Sequence, residues 1–251
     1  MYFNNNKTGI GGQGYLKINN YFYNCNINNF KQHPDLNYAI EHNNQYMFNS
    51  SKIWYNSIKK LNLISNEQII DLIKLNDNIG NPKKEDIHNE LPLCNSNTIK
   101  YIYFGLLNIK YIIDNNLEHF DFIEIGGGYG GQCIILLELF KILNIKINNY
   151  ILIDLDNILK FQKKYTSLFD NSKCIFLEYN SYVSYDFTNN SYLFSCYCFN
   201  EVNEEIRKNY YDNLFPFIKK GLFIWPNVKT LKNFAKKYIH KKIDDQNIIY
   251  M

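Results

Sequence analysis

The chain has 251 residues, 46% of them hydrophobic, and its 27 Lys and Arg against 24 Asp and Glu leave a formal net charge of +3. That balance excludes a disordered chain. Its scattered lysine pairs, such as Lys59-Lys60 and Lys219-Lys220, indicate solvated faces and argue against a nucleic-acid groove. No apolar run reaches membrane-spanning length and the N-terminus lacks the basic and apolar regions of a signal peptide, so a cytoplasmic protein with no membrane partner is expected.

Residues 1–50 are rich in Asn, Tyr and Gly without sustained periodicity and are read as an N-terminal arm, mobile in character. Within it Gly9-Ile10-Gly11-Gly12-Gln13-Gly14 follows no strand and precedes no Gly-Lys-Ser/Thr, which separates it from a phosphate loop. From Ser51 to Leu75 the apolar spacing predicts two short helices broken near Ser65-Asn66. The turn-rich segment Asn76-Asp77-Asn78-Ile79-Gly80-Asn81-Pro82 follows, and Ser96-Asn97-Thr98 offers the cap of a helix running through Ile112. Residues 51–115 therefore form a helical cap or substrate region.

From residue 116 to 251 the pattern becomes that of a single α/β domain. Strands are predicted at Phe120–Ile125, Tyr150–Asp154, Cys174–Leu177, Ser191–Tyr197 and Gly221–Trp225, with an edge strand at Asn247–Tyr250. Helices are expected after Gln132, over Asn157–Phe169 and over Asn203–Ile218, the last with Glu204 and Glu205 suiting the helix dipole. Alternation of this kind implies a mostly parallel sheet with helices on both faces. Six scattered cysteines show no zinc-ribbon spacing, and Cys196 and Cys198 are read as small buried hydrophobes.

Five of the twelve glycines occupy Gly126-Gly127-Gly128-Tyr129-Gly130-Gly131, between the first predicted strand and the following helix. A glycine turn lets backbone approach a nucleotide-like ligand closely, so this is the expected cofactor cradle. Gly126, Gly128 and Gly131 with Asp154 also satisfy the dinucleotide pattern. Three features favour S-adenosylmethionine over NAD: Glu124 just ahead of the loop, the long helix-forming stretch before the first strand, and Asn200-Glu201 at the end of the fourth.

From Asn76 onward the chain resembles the sugar O-methyltransferases of the class I S-adenosylmethionine-dependent superfamily. The resemblance is carried by Asn76-Asp77 with Gly80-Asn81-Pro82, by Glu124-Ile125-Gly126-Gly127-Gly128-Tyr129-Gly130-Gly131-Gln132, and by Ile153-Asp154-Leu155 with Leu159 and Gln162-Lys163-Lys164-Tyr165. Asn200-Glu201 and Ile248-Ile249-Tyr250 extend it. It implies a Rossmann-like α/β fold, a seven-stranded, mostly parallel sheet preceded by a helical region. Around S-adenosylmethionine it places Glu124, Gly126, Gly127, Gly128, Tyr129, Gly130 and Gln132 at the methionine end, Asp154 and Leu155 at the ribose, and Glu178 to Ser181, with Asn180 and Ser181 as contacts, near the adenine. The implied reaction is methyl transfer to a hydroxyl of a nucleotide-linked sugar or a glycan.

Such a transfer needs an aligned acceptor oxygen and a base for its proton. Glu201 is the first candidate base, its alternative being a cap on the helix starting near Asn203. Asp77, with Asn76, would meet the acceptor hydroxyls or else form an Asx turn ahead of Gly80 and Pro82. His88 would approach the acceptor or lie at the surface, and Tyr129 would lie on the methyl path or pack the loop. Asp77, Glu201 and Asp186 could supply hard oxygen ligands, but no compact spacing demands a metal and none is expected. The alternatives are a methyltransferase for another small molecule or for nucleic acid, a non-catalytic scaffold of the same fold, and a nicotinamide enzyme. A homo-oligomer is left open.

Overall fold

The computed structural model describes residues 25–36, 43–225, 237–244 and 246–251 together with Tyr21 and Ile40. The Gly9–Gly14 stretch and most of the expected arm lie outside the described residues. The chain divides into two compact units, one of Glu118–Gly127 and Ile147–Met251 with Met1–Tyr23, the other of Asn24–Leu117 and Gly128–Lys146.

The first unit is built on seven strands, β1 (Phe120–Ile125), β2 (Ile147–Asp154), β3 (Cys174–Glu178), β4 (Ser191–Cys196), β5 (Ile218–Trp225), β6 (Ile239–Ile243) and β7 (Gln246–Tyr250). They form one sheet in the order β3-β2-β1-β4-β5-β7-β6, with β1 to β5 parallel and β7 antiparallel to both its neighbours. The mostly parallel seven-stranded sheet expected from the sequence is present. In the segment β3-β2-β1-β4-β5 the strand order reverses direction between β1 and β4, and in doubly wound sheets of this kind ligands bind outside the carboxyl ends at that switch.

All six residues of β1 are buried, as a strand covered on both faces requires. On one face Ile123, Ile125, Ile151, Ile153, Leu193 and Phe223 form a core with Phe199, Tyr210 and Leu214, and the helix Glu204–Asn213 supplies Tyr210 to it. On the opposite face the helix Asp156–Thr166 brings Gln162 beside Leu152, where both side chains crowd Gly127. The sheet therefore carries helices on both faces. Phe122 stacks on Tyr192 on that second face, with ring centroids 5.2 Å apart.

Three details differ from the sequence expectation. The helix expected over Asn203–Ile218 stops at Asn213, because Pro216 lacks a donor and imposes the short 3-10 turn Phe215–Phe217. Ile218 already belongs to β5, ahead of the expected start at Gly221. The C-terminal strand is interior rather than an edge, because β6 pairs outside it; β6 is exposed from Ile239 to Lys242, so it lacks the alternation that marks a half-buried strand.

Among the described residues the longer helices of the second unit are α1 (Gln45–Leu61), α2 (Asn66–Asp77), α3 (Ser96–Asp114) and α4 (Gly131–Ile142), and those of the first unit are α5 (Asp156–Thr166) and α6 (Glu204–Asn213). Ser65 and Gln68 form a reciprocal capping box at the break between α1 and α2. Asn95 caps α3, one residue ahead of the expected Ser96, accepting from the Asn97 N–H at 2.8 Å. Fifteen of the residues of α3 are buried, because α1, α2 and α4 all pack against it. Among the described residues no helix is long and apolar enough to cross a membrane.

Candidate functional site

At the carboxyl ends of β1, β2 and β4 the first unit has an open pocket with about 440 Å³ of empty space, its mouth included. Gly126, Asp154, Tyr179, Cys198, Glu201 and Tyr210 are among its walls. The position is the one that the reversal of strand order predicts.

Gly126 shapes the floor. Its φ is +78°, and a Cβ there would overlap Cβ and Sγ of Cys198, so only glycine combines this turn with this contact. Its N–H donates to the Ile153 carbonyl at 3.0 Å, holding the end of β1 against β2.

Asp154 ends β2 and is almost wholly buried. Its Oδ1 accepts from the Leu155 N–H at 2.8 Å and its Oδ2 from Gln162 Nε2 at 2.9 Å, and the Gly127 N–H also donates to it. Two carboxylate oxygens offer about four acceptor positions, so the three donors leave room for another. Burial pushes its pKa up to about 7, against the opposing pull of those bonds. Glu124, also buried, accepts from the Tyr150 hydroxyl at 2.7 Å, and burial followed by the nearby Asp154 charge raises it to about 7.

The loop between β4 and α6 is set by local bonds. Ser195 Oγ donates to the Ile125 carbonyl at 3.1 Å and accepts from the Phe199 N–H at 3.2 Å. Tyr197 takes the left-handed region at φ +59°, and its hydroxyl reaches Gln246 at 2.6 Å. Asn203 caps α6, its side chain accepting from the Ile206 N–H at 2.8 Å. That cap relieves Glu201 of the alternative role considered from the sequence. Glu201 has no side-chain hydrogen bond or ion pair among the described residues, and burial alone raises it to about 7. Cys198 corrects the expectation of a core hydrophobe, since it is half-buried and walls the pocket.

Asn180 and Ser181 stand exposed in the turn after β3, and the pocket wall there is Tyr179. Leu155 lines the pocket as expected from its place beside Asp154. Tyr179 lies within the Glu178–Ser181 stretch singled out from the sequence, whereas Cys198, Val202, Ile206 and Tyr210 were missed. Ile206 and Tyr210, four apart on one face of α6, carry a detectable spacing.

In the second unit Gly130 starts α4 at φ +99° with no side-chain cap, so the first N–H groups of that helix lack the usual oxygen partner. Gln132 donates to the Tyr101 carbonyl at 2.9 Å, while its Oε1 is buried without a partner among the described residues. Tyr129 is turned inward: it meets Phe30 edge-on at 5.1 Å, and its hydroxyl donates to Asn76 Oδ1 at 3.2 Å. The side chain therefore packs the loop, and Gly128, Tyr129 and Gly130 present backbone.

Asp77 belongs to the same buried knot. Its Oδ1 accepts from Thr98 Oγ1 at 2.5 Å and its Oδ2 from the Asn95 N–H at 2.7 Å, with the buried Lys31 nearby. Lys31 Nζ donates to the Asn76 carbonyl at 2.6 Å. His88 is half-buried beside the Tyr55 ring at 4.7 Å, and its Nδ1 accepts from the Glu90 N–H at 3.2 Å. Among the described residues no three His, Cys, Asp or Glu side chains gather as a metal-ligand group.

No protein-family model and no curated protein matches the chain. Solved structures similar to part of it include a SAM-dependent methyltransferase from Aquifex aeolicus, with TM-score 0.42 and 12% identity over 57% of this chain and 87% of that one. The mitomycin 7-O-methyltransferase gives TM-score 0.44 and 12% identity over 62% and 54%, and an O-methyltransferase family protein from Burkholderia thailandensis 0.40 and 10% over 62% and 59%. Likenesses of this extent bear on neither cofactor nor acceptor, which rest on the site itself.

The site fits a cationic nucleoside ligand. Asp154 and Glu201 place carboxylates on the pocket, and no ion pair among the described residues reaches either. A buried carboxylate without a cation is costly when ionised, and a ligand carrying positive charge would remove that cost.

Proposed function

We propose that the chain is an S-adenosylmethionine-dependent O-methyltransferase whose acceptor is a sugar hydroxyl, on a nucleotide-linked sugar or a glycan. The observation that carries the cofactor reading is Asp154. It closes β2 beside the left-handed Gly126, accepts from the Gly127 N–H, and lines a pocket whose acids meet no cation among the described residues. A carboxylate there suits a ribose hydroxyl, and the acidic pocket suits a sulfonium. The sugar reading rests on the sequence motifs at Asn76–Pro82 and Glu124–Gln132.

When bound, S-adenosylmethionine supplies an electrophilic methyl group on a positively charged sulfur. The protein's tasks are then alignment, exclusion of water and removal of the acceptor proton. Glu201 is proposed as the base. It lies on the pocket, is free of capping and ion-pair duties, and has a pKa near 7, where a general base works best at neutral pH. Gly126, Gly127 and Leu155 hold the Asp154 carboxylate and the turn, and Gly128, Tyr129, Gly130 and Gln132 are proposed, on the sequence motif alone, as contacts to the methionine end. Asp77 and Asn76 are proposed to shape the turn before Gly80.

The test is calorimetric titration with S-adenosylmethionine, S-adenosylhomocysteine and NAD, repeated on Asp154→Ala. Binding of the first two alone, weakened in the variant, is the expected result; binding of NAD alone, or of none, would overturn the cofactor reading. Methyl incorporation into nucleotide sugars and glycans, against catechols and RNA, then decides the acceptor.

A further inference from the structure

Resting on that reading, we propose that Tyr210 is a ligand-binding residue, donating a hydrogen bond to a ribose hydroxyl oxygen of the nucleoside held by Asp154. Tyr210 sits on α6 with only 2% of its surface exposed, and it lines the pocket. Its hydroxyl makes no hydrogen bond among the described residues. The hydroxyl is not among the enclosed polar atoms left without a partner, so it keeps exposure on the pocket that the residue lines. Phenylalanine would fill the space of the ring equally, so packing does not explain the hydroxyl.

The surroundings specify what it meets. Asp154, Cys198 and Tyr179 line the same pocket, and Tyr182 stacks on the ring. Of these Asp154 is the only carboxylate, and it offers acceptor capacity alone. A ribose hydroxyl has both a proton to give and lone pairs to receive, so an acceptor at Asp154 and a donor at Tyr210 are complementary to a single such group. The ring is held in advance: it stacks on Tyr182 at 5.2 Å, and the Tyr182 hydroxyl donates to Asn209 Oδ1 at 2.5 Å. Preorganisation of this kind favours affinity because no side chain is ordered on binding.

The experiment compares wild type with Tyr210→Phe, using S-adenosylhomocysteine and its 2′-deoxy and 3′-deoxy analogues. The expected result is that Tyr210→Phe weakens S-adenosylhomocysteine about tenfold, while one deoxy analogue binds both proteins equally, since the group that meets Tyr210 is already missing. The unliganded variant should melt at or above the wild-type temperature. Equal affinity of both proteins for all three ligands, an equal loss for all three, or a lowered melting temperature without ligand would each overturn the proposal. Failure of the wild type to bind S-adenosylhomocysteine would be a different result, overturning the cofactor reading and this inference with it.

Discussion

Lowering the pH from 8 to 6 should weaken binding of S-adenosylmethionine, by an amount set by Asp154 and Glu201. Burial raises both to about 7 in the free protein, so at pH 6 each is ionised in about one molecule in eleven and at pH 8 in about ten of eleven. A cation that requires one ionised carboxylate then binds about tenfold more weakly at pH 6, or ~1.4 kcal/mol, and about a hundredfold if both are required independently. The same shift acts on stability. The folded protein keeps protons that the unfolded chain has released, so the contribution of these groups is fully present below about pH 4 and is lost as pH rises through about 7. Calorimetry at pH 6 in phosphate and in Bis-Tris, buffers of different ionisation enthalpy, should show one to two protons released on binding, falling towards none at pH 8. Equal affinity at both pH values with no buffer-dependent heat would refute the reasoning.

Gly126→Ala should destabilise the protein by about 2–5 kcal/mol in urea unfolding, combining left-handed strain with the overlap on Cys198. Adding Cys198→Gly should return about 1–3 kcal/mol of it, and no recovery would show that the contact is misassigned. Glu201→Gln should lower methyl transfer at saturating cofactor by about 10²–10⁴, beyond any loss of cofactor affinity, which calorimetry at pH 8 reads separately; unchanged turnover would remove Glu201 as the base. Asp77→Ala should cost about 2–4 kcal/mol in thermal unfolding, since it strands the buried Asn95 N–H and the donor of the Thr98 hydroxyl. Asn203→Ala should cost about 1 kcal/mol and shorten α6 by circular dichroism.

What the sequence determined by itself is what local physics can encode. The apolar run Phe120–Ile125, the glycines after it and the acid closing Tyr150–Asp154 lie within a few residues of one another or repeat a simple strand pattern. Such signals survive without knowledge of the fold, which is why the turn at Gly126 and the parallel core were legible. Pro216, in contrast, was a local signal within reach that marked the end of α6 early.

Tertiary structure decided which side chains share a space. Cys198 reads as a core residue until β4 and β1 are adjacent and Gly126 makes room for it. Tyr210 reads as one aromatic among 22 tyrosines until α6 is laid on the Ile125 face and the residue joins Asp154 in the wall of one pocket. Glu201 could equally have capped a helix until Asn203 was seen to do so. Tyr129 points into packing rather than towards a ligand because Phe30, far away in the chain, fills the space beside it. β7 is interior only because β6, with no buried face to announce it, pairs outside it. In each case the deciding contact joins residues distant in sequence, and no periodicity along the chain records such a contact.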